Sequence, residues 1–372
     1  MLLRVGVALL LVVTLWGARP FRASAPDAPP SVELAIASHT PLSADLADLV
    51  LFGGLKESYC DASGNIYSRT DRKYGSAIDG VVRFTHAGSS YVKFSIDKLP
   101  ELSDGTITDF EVEPGGDIYA LARQVLKYTP TTVPIEFGHN FIVHFDANGK
   151  ASAQIRLQID TSEFNPTGFA LLKNGGYLVV GARRADHTTQ MAAQLFHQDG
   201  SFASKLELDH AGTKSSNGDS LQSTRVVDPA AIHSSGFIYV MRGYTIEPVF
   251  VLSEDGKLVK TIQLSPPGIE FDSPKISGDD LMIHAHTPPP EPIGFAGGIP
   301  IRPRADVNYP VFSLNSGAIT VRYHWKNESF GVACYQPGHL TFIGQDAAFG
   351  PWEIFEAGPA ATSNQHHVAS GL

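Results

Sequence analysis

Asp61-Ala62-Ser63-Gly64-Asn65-Ile66-Tyr67 decides the fold, because the chain keeps returning to its pattern of a turn glycine followed by an apolar pair. The pattern recurs at Gly116-Asp117-Ile118-Tyr119, Gly176-Tyr177-Leu178-Val179, Gly236-Phe237-Ile238-Tyr239, Asp279-Asp280-Leu281-Met282 and Gly338-His339-Leu340-Thr341, at spacings of 52, 60, 60, 43 and 59 residues. A second turn alternates with the first, at Gly88, Gly149, Gly200, Gly256, Gly317 and Gly358. Its best copies, Phe145-Asp146-Ala147-Asn148-Gly149-Lys150 and Ser253-Glu254-Asp255-Gly256-Lys257, adjoin alternating apolar runs such as Phe141-Ile142-Val143 and Ile155-Arg156-Leu157. Glycine, Asn and Asp supply the positive φ that tight hairpins need. Two interleaved series of six hairpins predict six four-stranded antiparallel units, and helical periodicity is absent.

Such units bury their apolar faces against one another and close into a ring, so the prediction is an all-β, six-bladed β-propeller. A two-sheet sandwich competes but gives no reason for the period. The last unit supplies only three strands, about 331–335, 339–344 and 351–356. Val32-Glu33-Leu34-Ala35-Ile36-Ala37 alternates without a hairpin partner nearby and is expected to complete that last blade, closing the ring and removing an exposed edge.

Asp61–Tyr67, together with Asp228-Pro229-Ala230-Ala231-Ile232-His233-Ser234-Ser235-Gly236-Phe237-Ile238-Tyr239-Val240 and Asn165-Pro166-Thr167-Gly168-Phe169-Ala170, resembles NHL-type propeller repeats. NHL-like and gluconolactonase-like six-bladed propellers share this pattern and differ in function, so the resemblance implies an architecture and leaves the chemistry open.

Around this core the sequence reads as an exported protein. Arg4 precedes a continuous apolar run from Val5 to Ala18, and Ala23-Ser24-Ala25 fits cleavage by a signal peptidase, with Pro26 an awkward residue after the cut. The expected organisation is a signal peptide over 1–25, one propeller domain over 26–357 and a polar tail over 358–372, located outside the cytoplasm as a secreted or periplasmic monomer. An uncleaved N-terminal anchor is the competing reading. The 372 residues carry a formal charge of −10, which becomes −13 without residues 1–25. That balance excludes general affinity for nucleic acid or an anionic membrane, since both are bound through dense Lys/Arg patches.

The chemistry is expected on the face where second strands end and first strands begin, because a rigid scaffold there carries variable loops. The second strands end in Arg69 with Arg72, Arg123, Arg183, Arg242 and His286, and their loops carry Tyr74, Tyr128 and Tyr244. NHL-type repeats usually place Asp at this end. Guanidinium groups bind oxyanions and rings stack, so this set predicts a ligand- or protein-binding rim for a sugar, a carboxylate or another protein. The same residues also suit internal ion pairs and loop packing.

The starts of the first strands carry Glu57, Asp109, Asp228 and Asp272, with Asn165 out of register. Resemblance to gluconolactonase-like propellers implies that such positions hold calcium in the channel of a metal-dependent hydrolase or lactonase. Here Glu57-Ser58-Tyr59 replaces the Glu-Gly-Pro segment of that pattern, and short acids are also ordinary turn formers. A quinone-dependent sugar dehydrogenase is a third reading. His144, His233 and His339 fall inside predicted strands and are expected to be packed or exposed rather than catalytic. Cys60 and Cys334 occupy equivalent positions in the first and last units, and both a disulfide locking the ring and a pair of buried thiols are open.

Overall fold

A computed structural model describes residues 28–50, 58–70, 78–127, 136–185, 188–208, 229–241, 244–245, 248–266, 270–285, 294–296, 299–301, 307–325, 330–345 and 350–360. Residues 31–372 form one compact unit. It opens with β1 (Ser31–Pro41) and a seven-residue helix, α1 (Ala44–Val50), which buries Leu46 and Leu49. This helix corrects the expectation of a chain without helices. Seven residues are two turns, too short for the periodicity to stand out.

Four sheets of four strands follow. The first contains β2 (Ser58–Cys60), β3 (Asn65–Thr70), β4 (Gly80–Thr85) and β5 (Tyr91–Ser95). In the second are β6 (Thr106–Val112), β7 (Ile118–Lys127), β8 (Glu136–Phe145) and β9 (Ala151–Leu157). The third holds β10 (Phe164–Leu171), β11 (Tyr177–Ala185), β12 (Thr188–Phe196) and β13 (Phe202–Leu206). β14 (Ala230–Ser234), β15 (Phe237–Met241), β17 (Val249–Ser253) and β18 (Leu258–Ile262) make the fourth, with β16 (Tyr244–Thr245) left out of it.

The remaining strands are β19 (Glu270–Ser277), β20 (Asp280–Ala285), β21 (Gly294–Ala296), β22 (Ile299–Ile301), β23 (Val307–Ser313), β24 (Ile319–Trp325), β25 (Phe330–Gln336), β26 (His339–Gly344) and β27 (Glu353–Pro359). They do not form two further separate blades, and this overturns the six-bladed expectation. Seven of them join β16 and β1 in one nine-stranded sheet of order β16-β19-β20-β23-β24-β1-β27-β26-β25. The cause is the length of β1. Its first residues, Ser31–Glu33, pair parallel with Arg322–His324 of β24, while Leu34–Pro41 pair antiparallel with β27. An eleven-residue strand therefore bonds along two edges where the sequence reading gave it one. β21 and β22 form a separate two-stranded hairpin. The arrangement is propeller-like, with small antiparallel sheets whose first strands face a common cavity. Among the described residues no helix is long and apolar enough to cross a membrane.

The turns explain the strands. Gly64, Gly88, Gly116, Gly149, Gly200, Gly236, Gly256, Gly317 and Gly338 all have positive φ, where a Cβ is strained. Gly358 does not make a turn and lies within β27. Packing between the two stretches of the nine-stranded sheet on either side of β1 is apolar: Trp325 stacks on Phe342 at 4.9 Å, and Tyr309 meets Phe342 edge-on at 5.7 Å.

Candidate functional site

The first strands β2, β6, β10, β14, β19 and β25 line a cavity of about 310 Å³. Its wall is largely apolar, with Phe110, Phe169, Ile232, Met241 and Ile276, and its polar groups come from side chains that also stitch neighbouring strands together. Alternation puts Asp109 and Glu111 on one face of β6. Asp109 accepts hydrogen bonds from the Phe110 N–H and, across to β10, the Phe169 N–H, each at 2.9 Å. Glu111 accepts from the Leu171 N–H of β10 at 2.7 Å and lies 2.5 Å from Nδ1 of His233 on β14. One carboxylate thus ties three strands that are far apart in sequence.

Close approach is required where these strands meet. A Cβ at Gly168 would lie 3.1 Å from the Pro229 carbonyl and 3.3 Å from Asp109 Oδ2, so a side chain there forces β6, β10 and β14 apart. On the other side, the Lys275 ammonium of β19 donates to the carbonyl and hydroxyl of Ser58. The Ser58 hydroxyl in turn reaches the carbonyls of Val332 and Ala333 on β25, at 3.2 and 3.1 Å.

His233 is the group with chemistry to offer. Burial disfavours its imidazolium, but the hydrogen bond and charge of Glu111 outweigh that and raise its pKa above the usual value. Its Nδ1 is occupied by Glu111, while its Nε2 is buried and has no hydrogen-bond partner among the described residues. Burial, followed by the charges of Asp61 and Glu111, pushes the Tyr59 phenol up, so this part of the wall is a neutral donor at pH 7. The sequence sets His233 aside as packed or exposed within its strand, whereas the fold brings it to Glu111 at the cavity wall. The available signal was its place two residues after Ala231 on a first strand, which gives both the same face.

The expected rim is only partly described, and two of its arginines do something else. Arg69 donates from Nη1 to the Ile107 carbonyl at 2.7 Å, clamping the first sheet to the second. Arg123 is 5% exposed and donates to Asn140 Oδ1 at 3.2 Å and to the Pro166 carbonyl, clamping the second sheet to the third. Both hydrogen-bond to backbone carbonyls of the next sheet, so their side chains are committed to structure. Replacing Arg123 by Met is expected to destabilise the protein by about 2 kcal/mol, since it strands buried acceptors; equilibrium urea unfolding measures it, and an unchanged midpoint contradicts the clamp. Arg183 is exposed in β11. Arg72, Arg242, His286, Tyr74 and Tyr128 lie outside the described residues, as does the side chain of Tyr244.

The calcium set is not assembled by what is described. Asp109 faces the cavity with both oxygens accepting backbone N–H groups, whereas Glu57, Asp228 and the side chain of Asp272 lie outside the described residues. Cys60 of β2 and Cys334 of β25 form a disulfide in the cavity wall, with Cα atoms 5.6 Å apart.

At the seam between the first and last sheets, Glu356 of β27 lies 2.6 Å from Nδ1 of His86 and also contacts His339 Nε2 and the Thr341 hydroxyl. The Glu356 hydrogen bond raises the His86 pKa above 6.5. The Glu356 pKa falls below 4.5, because these partners outweigh burial. The His86 contribution is complete below pH 6.5 and is lost as pH rises through the raised value; that of Glu356 is complete above pH 4.5 and is lost as pH falls through the lowered one. Between pH 6 and 8 the melting temperature of the wild type is therefore expected to fall more than that of His86→Gln; parallel curves contradict the assignment.

No family model matches the chain, and no curated protein matches it. Among solved structures, the AfRom2 CNH domain aligns over 88% of this chain and 99% of its own, at 9% identity and a TM-score of 0.38. The Pyrococcus horikoshii acylaminoacyl peptidase aligns over 81% of this chain and 43% of its own, at 12% identity and a TM-score of 0.42. Similarity at this level carries nothing about function. The class is therefore set by the strands themselves, as an all-β protein of propeller-like arrangement.

Proposed function

We propose that the protein is an exported binding module that takes a small organic ligand into the cavity between its first strands. One observation carries this reading: a volume of about 310 Å³ with apolar walls and a few fixed polar groups, the composition typical of small-molecule sites. The ligand that suits it has an apolar body and an oxygen acceptor, a carboxylate or a sugar-type carbonyl or hydroxyl, directed at His233 and Lys275. Export is supported by the apolar leader at Val5–Ala18 and by the Cys60–Cys334 disulfide, since such bonds persist in oxidising compartments. Arg183 and its neighbours on the rim then act on approach rather than in the bound state.

Ala231→Phe fills the cavity beside His233. Carboxylate and sugar ligands found with wild-type protein by ligand-observed NMR are expected to lose binding in this variant. Retained binding in a folded Ala231→Phe protein contradicts the reading.

A second reading, hydrolysis in the same cavity, is favoured by the His233–Glu111 pair. An imidazole held at Nδ1 by a carboxylate is the arrangement of an oriented general base. Ester or lactone turnover that disappears in His233→Gln supports it, and ligand binding without turnover returns the protein to the binding class.

A further inference from the structure

Three repeats of the first turn have the same backbone and different chemistry. In the first, the Asp61 N–H donates to the Asn65 carbonyl at 3.1 Å and the Gly64 N–H to the Asp61 carbonyl at 3.0 Å. Glu113, Gly116 and Asp117 repeat these bonds at 3.0 and 2.8 Å, and Leu172, Gly175 and Gly176 repeat them at 2.9 Å. Cross-strand pairing then superposes Tyr67 with Arg83, Tyr119 with His144, and Leu178 with Leu195. The third repeat is thus apolar at this place.

In the first repeat the acid is compensated. Asp61 accepts from the Asn65 amide at 2.7 Å and the Tyr67 hydroxyl at 3.1 Å, and Tyr67 is hydrogen-bonded to the Arg83 guanidinium. The second repeat replaces Asn65 by Asp117 and Arg83 by His144, exchanging an amide donor for a carboxylate and a fixed cation for an imidazole. Glu113, Asp117 and His144 are left with their ligand atoms all within 4.8 Å of one another, and His144 Nε2 is 3.1 Å from Asp117 Oδ2.

The imidazole is also oriented as a ligand. The Ser152 hydroxyl donates to the His144 carbonyl at 3.3 Å, so its oxygen, 2.7 Å from Nδ1, accepts the Nδ1 proton and leaves Nε2 turned to the two acids. Tyr119 stacks on the ring at 4.4 Å and fixes its plane. Arg83 reaches the backbone at Gly116, but among the described residues it makes no ion pair with Glu113 or Asp117.

We propose that Glu113, Asp117 and His144 form a binding site for a first-row divalent cation of the zinc class, with Ser152 as the positioning residue for His144. The cation takes the place that the Arg83 guanidinium fills in the preceding repeat. An imidazole with two carboxylates suits Zn²⁺ and its neighbours better than Ca²⁺ or Mg²⁺, and a metal-bound histidine ordinarily has its other nitrogen held, as Ser152 holds it here. The site is separate from the cavity and does not depend on the function proposed for it.

The test is calorimetric titration of the full chain with ZnCl₂, followed by CaCl₂ as a control. One zinc site is expected that is lost in His144→Ala, weakened about tenfold or more in Ser152→Ala, and kept in Asp61→Asn. The double variant Asp117→Asn/His144→Arg, which copies the first repeat, is expected to fold and to lose the same site. Weak zinc binding by His366-His367 persists in every variant and is subtracted by this comparison. Zinc isotherms that do not change in His144→Ala, or the absence of any zinc-dependent heat, overturn the proposal.

Discussion

Replacing Cys60 and Cys334 together by alanine lowers the unfolding free energy by about 5 kcal/mol. The bond closes a loop between residues 274 apart in sequence, so its removal returns a large conformational freedom to the unfolded chain. It also joins β2 to β25, two first strands that already meet through the Ser58 hydroxyl. Native-state contacts therefore change little, and the loss is expected to appear in the denaturant midpoint with secondary structure intact. Unfolding by guanidinium with and without a reductant, the redox state checked by intact mass, makes the measurement. A double variant as stable as the wild type contradicts the bond as a covalent lock on the fold.

Phe342→Ala is expected to cost about 3–5 kcal/mol, by loss of transferred area and by the cavity left behind. Phe342 is fully buried on β26 and touches Trp325 of β24 and Tyr309 of β23, so it fastens two stretches of the nine-stranded sheet that β1 joins along their edges. Phe342→Leu keeps most of the volume and is expected to lose much less. Equal losses in the two variants contradict ring packing as the source of the effect.

What the sequence made legible was local. The hairpin glycines announce themselves because positive φ restricts the residue, and Gly64, Gly116, Gly149 and Gly256 sit where the repeat places them. The merging of the last strands was not legible, since it depends on which edges β1 reaches. No residue in Ser31–Glu33 marks its parallel pairing with Arg322–His324. Gly358 was misplaced for the same reason: β27 pairs with β1 where a further hairpin was expected.

The site divides in the same way. A row of arginines at strand ends is conspicuous in sequence, but the partners of Arg69 and Arg123 are the carbonyls of Ile107 and Pro166, and a carbonyl has no sequence signature. Glu111 and His233 stand 122 residues apart, and only the adjacency of β6, β10 and β14 makes them a pair. Cys60 and Cys334 were visible as equivalent positions, whereas the distance that permits a bond needed the fold.

Whether the ligand site is the cavity or the arginine rim is decided by a ligand-observed NMR screen of carboxylates and sugars on three proteins. These are the wild type, Ala231→Phe and Arg183→Ala, each confirmed as folded by thermal unfolding. Hits that vanish in Ala231→Phe and survive in Arg183→Ala are the predicted result. Hits that survive in Ala231→Phe and vanish in Arg183→Ala would contradict the account and move the site to the rim.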